Sequence, residues 1–312
     1  IKQMSNEKLL LDLGGTNLRM GYGNLESFNI REITKLKVDT EKDISNAINT
    51  KLAEQNVDEI IFSAAGPRSK NIISMTNRNL TLNGDDLRLK FDVDGCHMLN
   101  DWESIGYCLP LLNDQDIILV KAGLRDPEKT SLALGPGTGL GFSVLRHIKG
   151  VPYVFATELG NTQLYNNYFI ELFKLEDTEG FSVLEDFISG VGLAKIYHIL
   201  YQQELSAETI VSNYLVEEKA TNLINAFVFG LASLISDLKL SFLASGGIYL
   251  AGSLMRSLYN KGALTNLEEI FNKHKSKMHS KILRDTSISL ITKEHTPLYG
   301  NLNYSNIRRN HE

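Results

Sequence analysis

The sequence predicts an α/β protein built from two equivalent α/β domains, and three observations carry that prediction. The first is a leucine-rich strand pattern that breaks at Gly14-Gly15-Thr16-Asn17 and resumes as the alternating residues 18–22. The second is the return of the same strand, glycine turn and strand across residues 131–146, with Gly15-Thr16 and Gly137-Thr138 set 122 residues apart. A duplicated unit of this kind marks two related domains. The third is size: 312 residues, 43% hydrophobic and 22% charged, make an ordinary globular chain long enough for two cores.

Residues 9–13 read as a strand, residues 18–22 as its partner and residues 25–30 as a third strand after the turn at Gly23-Asn24, an antiparallel meander. Ile44, Ile48 and Leu52 recur four apart and mark one face of a helix. Residues 59–63 then read as a buried strand that stops at Ala65-Gly66-Pro67. Residues 97–99 form a short strand whose end delivers Asn100-Asp101 to a helix over 102–112. In open α/β sheets, ligands bind at such strand-to-helix ends. In the second half, residues 131–134 and 140–146 flank the turn Gly135-Pro136-Gly137-Thr138-Gly139, and 151–157 supply a third strand. Beyond residue 160 helical periodicity dominates, clearest at 193–205, 220–243 and about 271–283, with strands at 248–251 and 287–292. The uncharged stretch 220–236 carries Thr221, Asn222, Asn225, Ser233 and Ser236, the make-up of a buried helix and not of a membrane span.

A formal net charge of −5, with 32 Lys and Arg scattered along the chain, disfavours nucleic acid and anionic membrane as partners. Cys96 and Cys108 fall in no Cys-x-x-Cys or zinc-type spacing and read as small core residues in a reducing, cytoplasmic setting. The apolar run from Leu9 to Leu11 is too short for a signal sequence, and residues 1–3 ahead of Met4 stand outside the fold expectation.

The two glycine turns are the first candidates for chemistry. Gly14, Gly15, Thr16 and Asn17 form one, and Gly137 and Thr138 lie in the other. Successive backbone N–H groups in such turns make a concavity that holds phosphate. Taken singly, each turn is also an ordinary hairpin connection that uses Gly or Asn for positive φ. A pair of them in duplicated domains favours the two ends of a triphosphate. Asp12, a charge set among leucines, needs a partner. A hydrated Mg²⁺ beside the phosphates would serve, and so would the backbone of its own turn. No Gly-x-x-x-x-Gly-Lys-Ser/Thr loop occurs, and no Gly-x-Gly-x-x-Gly opens a helix, which disfavours P-loop and dinucleotide-binding folds.

Five ordered motifs of the first half are Leu-Asp-Leu-Gly-Gly-Thr-Asn (11–17), Ala-Gly-Pro (65–67), Met-Thr-Asn (75–77), Leu-Asn-Asp-Trp (99–102) and Leu-Gly-Pro-Gly-Thr-Gly-Leu-Gly (134–141). Thr-Glu-Leu-Gly-Asn (157–161), Glu-Asp-Phe-Ile-Ser-Gly (185–190) and Gly-Gly-Ile-Tyr-Leu-Ala-Gly (246–252) continue the series. Together they resemble the bacterial glucokinases over nearly the whole chain. The resemblance implies the hexokinase fold, a two-lobed actin-like (ribonuclease H-like) ATPase architecture. Its small N-terminal lobe would span residues 1–111, completed by about 297–312, and its larger lobe 112–296, with ATP, Mg²⁺ and a sugar in the cleft. It further implies Asp101 as the base that takes the acceptor hydroxyl's proton. Asn100, Asp101, Glu158, Asn161 and Glu185 would lie at the sugar, Gly246, Gly247 and Gly252 near the adenosine, and a homodimer would be typical. Phosphoryl transfer needs in-line positioning, charge neutralisation and a carboxylate for the hydroxyl proton, which these residues supply.

Each acidic candidate also has a plain structural use. Asp101 suits the cap of a helix starting at Trp102, Ser182-Val183-Leu184-Glu185 has the form of a capping box, and Glu158 suits a solvated strand end. Departures from the family pattern cluster on the sugar side. Asn161 stands in place of His and Leu159 in place of Gly, while Arg68 and Asn77-Arg78-Asn79-Leu80 also differ. An amide is shorter than an imidazole and does not titrate near neutrality. Beside glucose phosphorylation these departures keep two readings open: another hexose or hexosamine as acceptor, and a sugar sensor that binds without turnover. A carboxylate acceptor is disfavoured, because acidic groups repel it. The absence of a Cys-rich zinc motif and of a helix-turn-helix extension argues against a DNA-binding repressor.

Overall fold

The computed structural model describes residues 5–75, 78–273 and 276–311. Strand β1 (Glu7–Leu13) is buried from Lys8 onward, as a strand flanked on both sides must be. It pairs antiparallel with β2 (Asn17–Asn24), which pairs with β3 (Ile30–Lys37), giving the expected meander. Helix α1 (Glu41–Glu54) begins at Thr40, whose hydroxyl accepts the Asp43 N–H while the Asp43 carboxylate accepts the Thr40 N–H. Its buried face includes Ile44 and Ile48. Strand β4 (Glu59–Ala64) then runs parallel to β1. A small antiparallel sheet of β5 (Arg68–Ser69), β6 (Ile72–Met75) and β7 (Leu80–Asn83) follows where no element was expected, since each strand is too short to show a period. After α2 (Gly84–Phe91), strand β8 (Gly95–Asn100) lies parallel to β4 and leads into α3 (Asp101–Cys108).

The main sheet of this half has the order β3-β2-β1-β4-β8. Because β1, β4 and β8 are parallel, with Leu13 opposite Ala64 and Ala64 opposite Asn100, their carboxyl ends share one sheet edge. That register brings the turn after β1, the Ala65-Gly66-Pro67 loop and the Asn100-Asp101 junction to the same end.

The second half repeats the scheme. Strand β9 (Ile117–Lys121) precedes β10 (Ser131–Pro136), buried along its whole length, and β11 (Leu140–Ile148), its antiparallel partner. After β12 (Val151–Ala156) come α4 (Asn166–Phe173), α5 (Gly190–Tyr201), α6 (Ala207–Ser212) and α7 (Glu218–Phe242). Then follow β13 (Ile248–Leu250), α8 (Ser253–Asn260), α9 (Leu267–Phe271), α10 (Lys277–Arg284) and β14 (Ile288–Ile291). The strands stand in the order β11-β10-β13-β14-β9, with β13 parallel to both β10 and β14. Thus β10 relates to β11 and β13 as β1 relates to β2 and β4. Helix α7 is long and apolar enough to cross a bilayer, but Leu223, Ile224, Phe227, Leu231 and Ile235 bury it in the core of this half. It is the central helix of a soluble fold.

The last element, α11 (Thr296–His311), packs on α3, β1 and β4. The chain forms two compact units: residues 1–112, 148–156 and 293–312 make the first, and 113–147 with 157–292 the second. Segment 148–156, expected with the second unit, joins the first; there Val154 is buried and its N–H donates to the Tyr107 hydroxyl oxygen.

Candidate active site

In the first unit the turn after β1 closes through the Gly14 N–H, which donates to the Asn17 carbonyl at 3.0 Å. Gly15 and Thr16 are exposed, and Gly14 and Asn17 half-buried. Neither Gly14 nor Gly15 takes a left-handed backbone, and a Cβ on Gly15 would meet nothing within 4 Å. Glycine at 15 is therefore required neither by the turn nor by packing. The open space beside it lets a ligand approach the backbone closely. Arg78, half-buried, donates from Nε to the Gly15 carbonyl at 2.6 Å and so supplies a cation that neither turn contains.

Asp12 is 4% exposed at the end of β1. Arg19 Nη1 donates to Oδ2 at 2.9 Å, and Ser63 Oγ lies 3.5 Å from Oδ1. The hairpin sets Asp12 directly opposite Arg19, so the pair follows from the register. Burial pushes the Asp12 carboxyl above the usual carboxylate range, and the Arg19 charge and hydrogen bond offset only part of that. The ion pair engages Oδ2, while Oδ1 has, among the described residues, only the long Ser63 contact. No cluster of three or more His, Cys, Asp or Glu suited to a metal occurs among the described residues.

At the β8–α3 junction, Asn100 is the helix cap: its Oδ1 accepts the Trp102 N–H at 2.8 Å, and the Glu103 carboxylate accepts the Asn100 N–H at 2.8 Å. Asn100 Nδ2 also donates to the Gly66 carbonyl at 2.9 Å, so much of this buried amide is spent on structure. Asp101 occupies the first helical position, half-buried, with Oδ1 3.0 Å from the Trp102 N–H. The capping use considered for Asp101 belongs mainly to its neighbour.

In the second unit the Gly137 N–H donates to the Gly139 carbonyl at 2.7 Å, and the Gly137 carbonyl accepts from Gly190 N–H at 2.7 Å. Gly137 repeats the feature of Gly15, with no left-handed backbone and open space where a Cβ would stand. Thr138 is exposed beside it. Glu185 lies against this turn: its Oε2 accepts the Leu140 N–H at 3.1 Å, and a Cβ on Gly139 or Gly160 would come within 2.4 or 2.8 Å of that oxygen. The capping carboxylate of this segment is Asp186, which accepts the Ser182 and Val183 N–H groups, and Glu185 is left to face the glycines. Asn161 Nδ2 donates to Glu158 Oε2 at 3.3 Å. Loss of solvent around it raises the Glu158 carboxyl, with the Asn161 hydrogen bond opposing and the Glu185 charge adding to the rise. The fold thus gathers Glu158, Asn161, Glu185 and the Gly137 turn.

Gly246 and Gly247 are not part of this gathering. Strand β13 runs parallel to β10 with Ile248 opposite Leu132 and Leu250 opposite Leu134, so Gly246 and Gly247 lie at the entry edge, where the Gly246 N–H meets the Thr130 carbonyl. Gly252, at the exit, is the residue that caps α8 near Pro136. A double glycine at a strand start gives no sign of which sheet edge it will occupy. Of the Met-Thr-Asn motif, Thr76 and Asn77 lie outside the described residues. Among residues that sequence reasoning missed, Arg19 was recoverable from the hairpin register and Glu103 from the Asn-x-x-Glu spacing, whereas Arg78 had no local signal.

A family model described as Glucokinase matches residues 9–306. The chain is similar to the glucokinase of Cupriavidus metallidurans, 27% identical over 316 residues that cover 96% of this chain and 93% of that one. In three dimensions it is similar to a glucokinase from an Antarctic psychrotroph, with TM-score 0.80, 22% identity and coverage of 96% and 98%. It is also similar to the Balamuthia mandrillaris glucokinase crystallised with glucose, with TM-score 0.78, 21% identity and coverage of 97% and 94%. These likenesses fix the actin-like ATPase fold, and the family match fixes the class of chemistry. The chain belongs to the glucokinase family and is a sugar kinase that phosphorylates a hexose with ATP.

Proposed function

We propose that the acceptor is glucose, that the product is glucose 6-phosphate, and that Asp101 is the general base. The observation that carries this reading is the place of Asp101 at the β8–α3 junction: Asn100 and Glu103 cap the helix, and Asp101 stands at the carboxyl end of the parallel strands, where ligands bind in open α/β sheets. Asp101 takes the proton of the 6-hydroxyl as that oxygen bonds to the terminal phosphorus and the bond to the bridging oxygen breaks, releasing ADP. The N–H groups around Gly14, Gly15, Thr16 and Asn17 and around Gly137 and Thr138 hold phosphate oxygens, with Arg78 beside the first turn and Gly252 beside the second. Mg²⁺ would enter as part of MgATP and supply charge neutralisation of the triphosphate.

Glu158, Asn161 and Glu185 hold sugar hydroxyls, the carboxylates accepting and the amide donating. A second acceptor class, another hexose or a hexosamine, is favoured by one observation: the Asn161 amide is already turned onto Glu158, which shortens the reach a histidine would have there. A net charge of −5 supports a cytoplasmic enzyme without nucleic-acid or membrane partners, and family membership supports a homodimer. ADP release measured with MgATP against a panel of hexoses and hexosamines tests the reading. The expected result is the highest kcat/KM with glucose and no turnover in excess chelator. Binding of a sugar without ADP release would favour a sensor instead.

A further inference from the structure

We infer that Arg68 is a positioning residue for the catalytic base, acting on Asp101 through Glu103; the inference rests on Asp101 being that base. Arg68 follows the loop at residues 65–67, whose path is fixed by Gly66: its φ is +141°, and a Cβ there would come within 2.3 Å of the Ser74 carbonyl oxygen. From this loop the Arg68 guanidinium reaches the β8–α3 junction on two sides. Nη1 donates to the Met98 carbonyl at 3.3 Å and to the Lys70 carbonyl at 3.2 Å, while Nη2 donates to Glu103 Oε1 at 2.8 Å. The other Glu103 oxygen accepts the Asn100 N–H at 2.8 Å. The Gly66 carbonyl meanwhile receives Asn100 Nδ2 at 2.9 Å.

The backbone before Asp101, at Met98 and Asn100, and the side chain two residues after it are therefore tied to one cation. Glu103 is 1% exposed, and burial raises its carboxyl while the Arg68 charge pulls the other way. A helix cap alone needs only Asn100 and Glu103. The planar fork of an arginine is what spans a strand carbonyl and a buried carboxylate at once, a geometry that a lysine point charge does not reproduce. Small displacements of a reacting group carry large kinetic penalties, on the order of a hundredfold for about 1 Å.

The test is a double-mutant cycle between Arg68→Met and Asp101→Asn, read as kcat, ATP KM and melting temperature. The expected result is a kcat roughly ten- to a hundredfold lower for Arg68→Met, with ATP KM within about twofold, and less than about twofold further loss when Asp101 is already Asn. Arg68→Lys should fall between the two. Should Arg68→Met fail to fold, the pair Arg68→Met/Glu103→Gln leaves no unpaired buried charge and is measured against Asp101→Asn in the same way. Equal fold-losses in both backgrounds, or no loss in either, would overturn the inference. Full turnover by Asp101→Asn alone would instead remove the base assignment on which it rests.

Discussion

Replacing Asp101 with Asn keeps the size of the side chain and an acceptor for the Trp102 N–H, while the helix cap stays with Asn100. Asp101→Asn is therefore expected to melt like the parent and bind sugar with similar affinity while kcat falls by about 10² to 10⁴. Melting temperature, sugar Kd and kcat measured on one preparation check this, and near-normal turnover would reassign the base. The glycine turns allow a test of the opposite kind. At Gly15 and Gly137 an alanine meets nothing and needs no left-handed backbone, so Gly15→Ala and Gly137→Ala should hold or gain stability, by about 0.4–1 kcal/mol. A methyl in the nest displaces a phosphate oxygen, and losing one charge-assisted hydrogen bond of about 1.5–3 kcal/mol raises the ATP KM roughly tenfold or more. An unchanged KM for both variants would separate these turns from the nucleotide.

At the scale of elements, the parallel run of β1, β4 and β8 sorts function from support. Its carboxyl edge carries Asp12, the glycine turn, the Gly66 loop and Asp101. Its opposite edge carries a buried ionic group: Lys8 Nζ lies 2.6 Å from Asp58 and 3.6 Å from Glu59, and His97 Nε2 lies 2.9 Å from Glu59. Ser305 on α11 also donates to Glu59, so this carboxylate helps dock the final helix. Burial raises the Glu59 carboxyl, but hydrogen bonds from His97 and Ser305 outweigh it and hold the group below its ordinary value of 4.5. A folded-state pKa below the unfolded one stabilises the fold above the unfolded value, and that stability is lost as pH falls through the folded value. Glu59→Gln is thus expected to unfold more easily at pH 7 and to lose less stability than the parent on acidification below about pH 4.5, which urea titrations at a series of pH values check. Parallel acid limbs for the two proteins would show that Glu59 has no such role.

At the scale of the whole molecule, the first unit is closed by a helix nearly 200 residues downstream of α3. Asn301, fully buried on α11, joins three segments: Nδ2 donates to the Leu11 carbonyl at 2.8 Å and lies 3.2 Å from Ser63 Oγ, and Oδ1 accepts from Ser104 Oγ at 2.6 Å. Gly300 beside it has no room for a side chain, since a Cβ would come within 1.7 Å of the Ser104 carbonyl oxygen. Asn301→Leu keeps the branching and heavy-atom count of the side chain, but it is bulkier and strands buried polar groups, each costing about 1–3 kcal/mol. The variant should lose roughly 2–4 kcal/mol in denaturant unfolding with an unchanged m-value. A loss under about 0.5 kcal/mol would mean that these groups find other partners.

The sequence by itself determined the paired strands around each glycine turn and the long helix α7, because β1 and β10 are apolar runs broken by glycine turns and α7 keeps its period for 25 residues. It also determined the family, since ordered motifs spread over the chain resist coincidence. It pointed to Asp101, Glu158 and Glu185 but left each with a structural rival. Tertiary structure assigned the caps to Asn100 and Asp186, which local spacing alone did not distinguish from their neighbours. It set Gly246 and Gly247 at the sheet edge opposite the Gly137 turn, because strand direction sets which edge a turn occupies and direction is a property of pairing. It set Asp12 against Arg19, placed Arg78 at Gly15 across 63 residues of chain, and tied Arg68 to Glu103. Such contacts are fixed by the meeting of remote segments, and no periodicity or spacing along the chain encodes them.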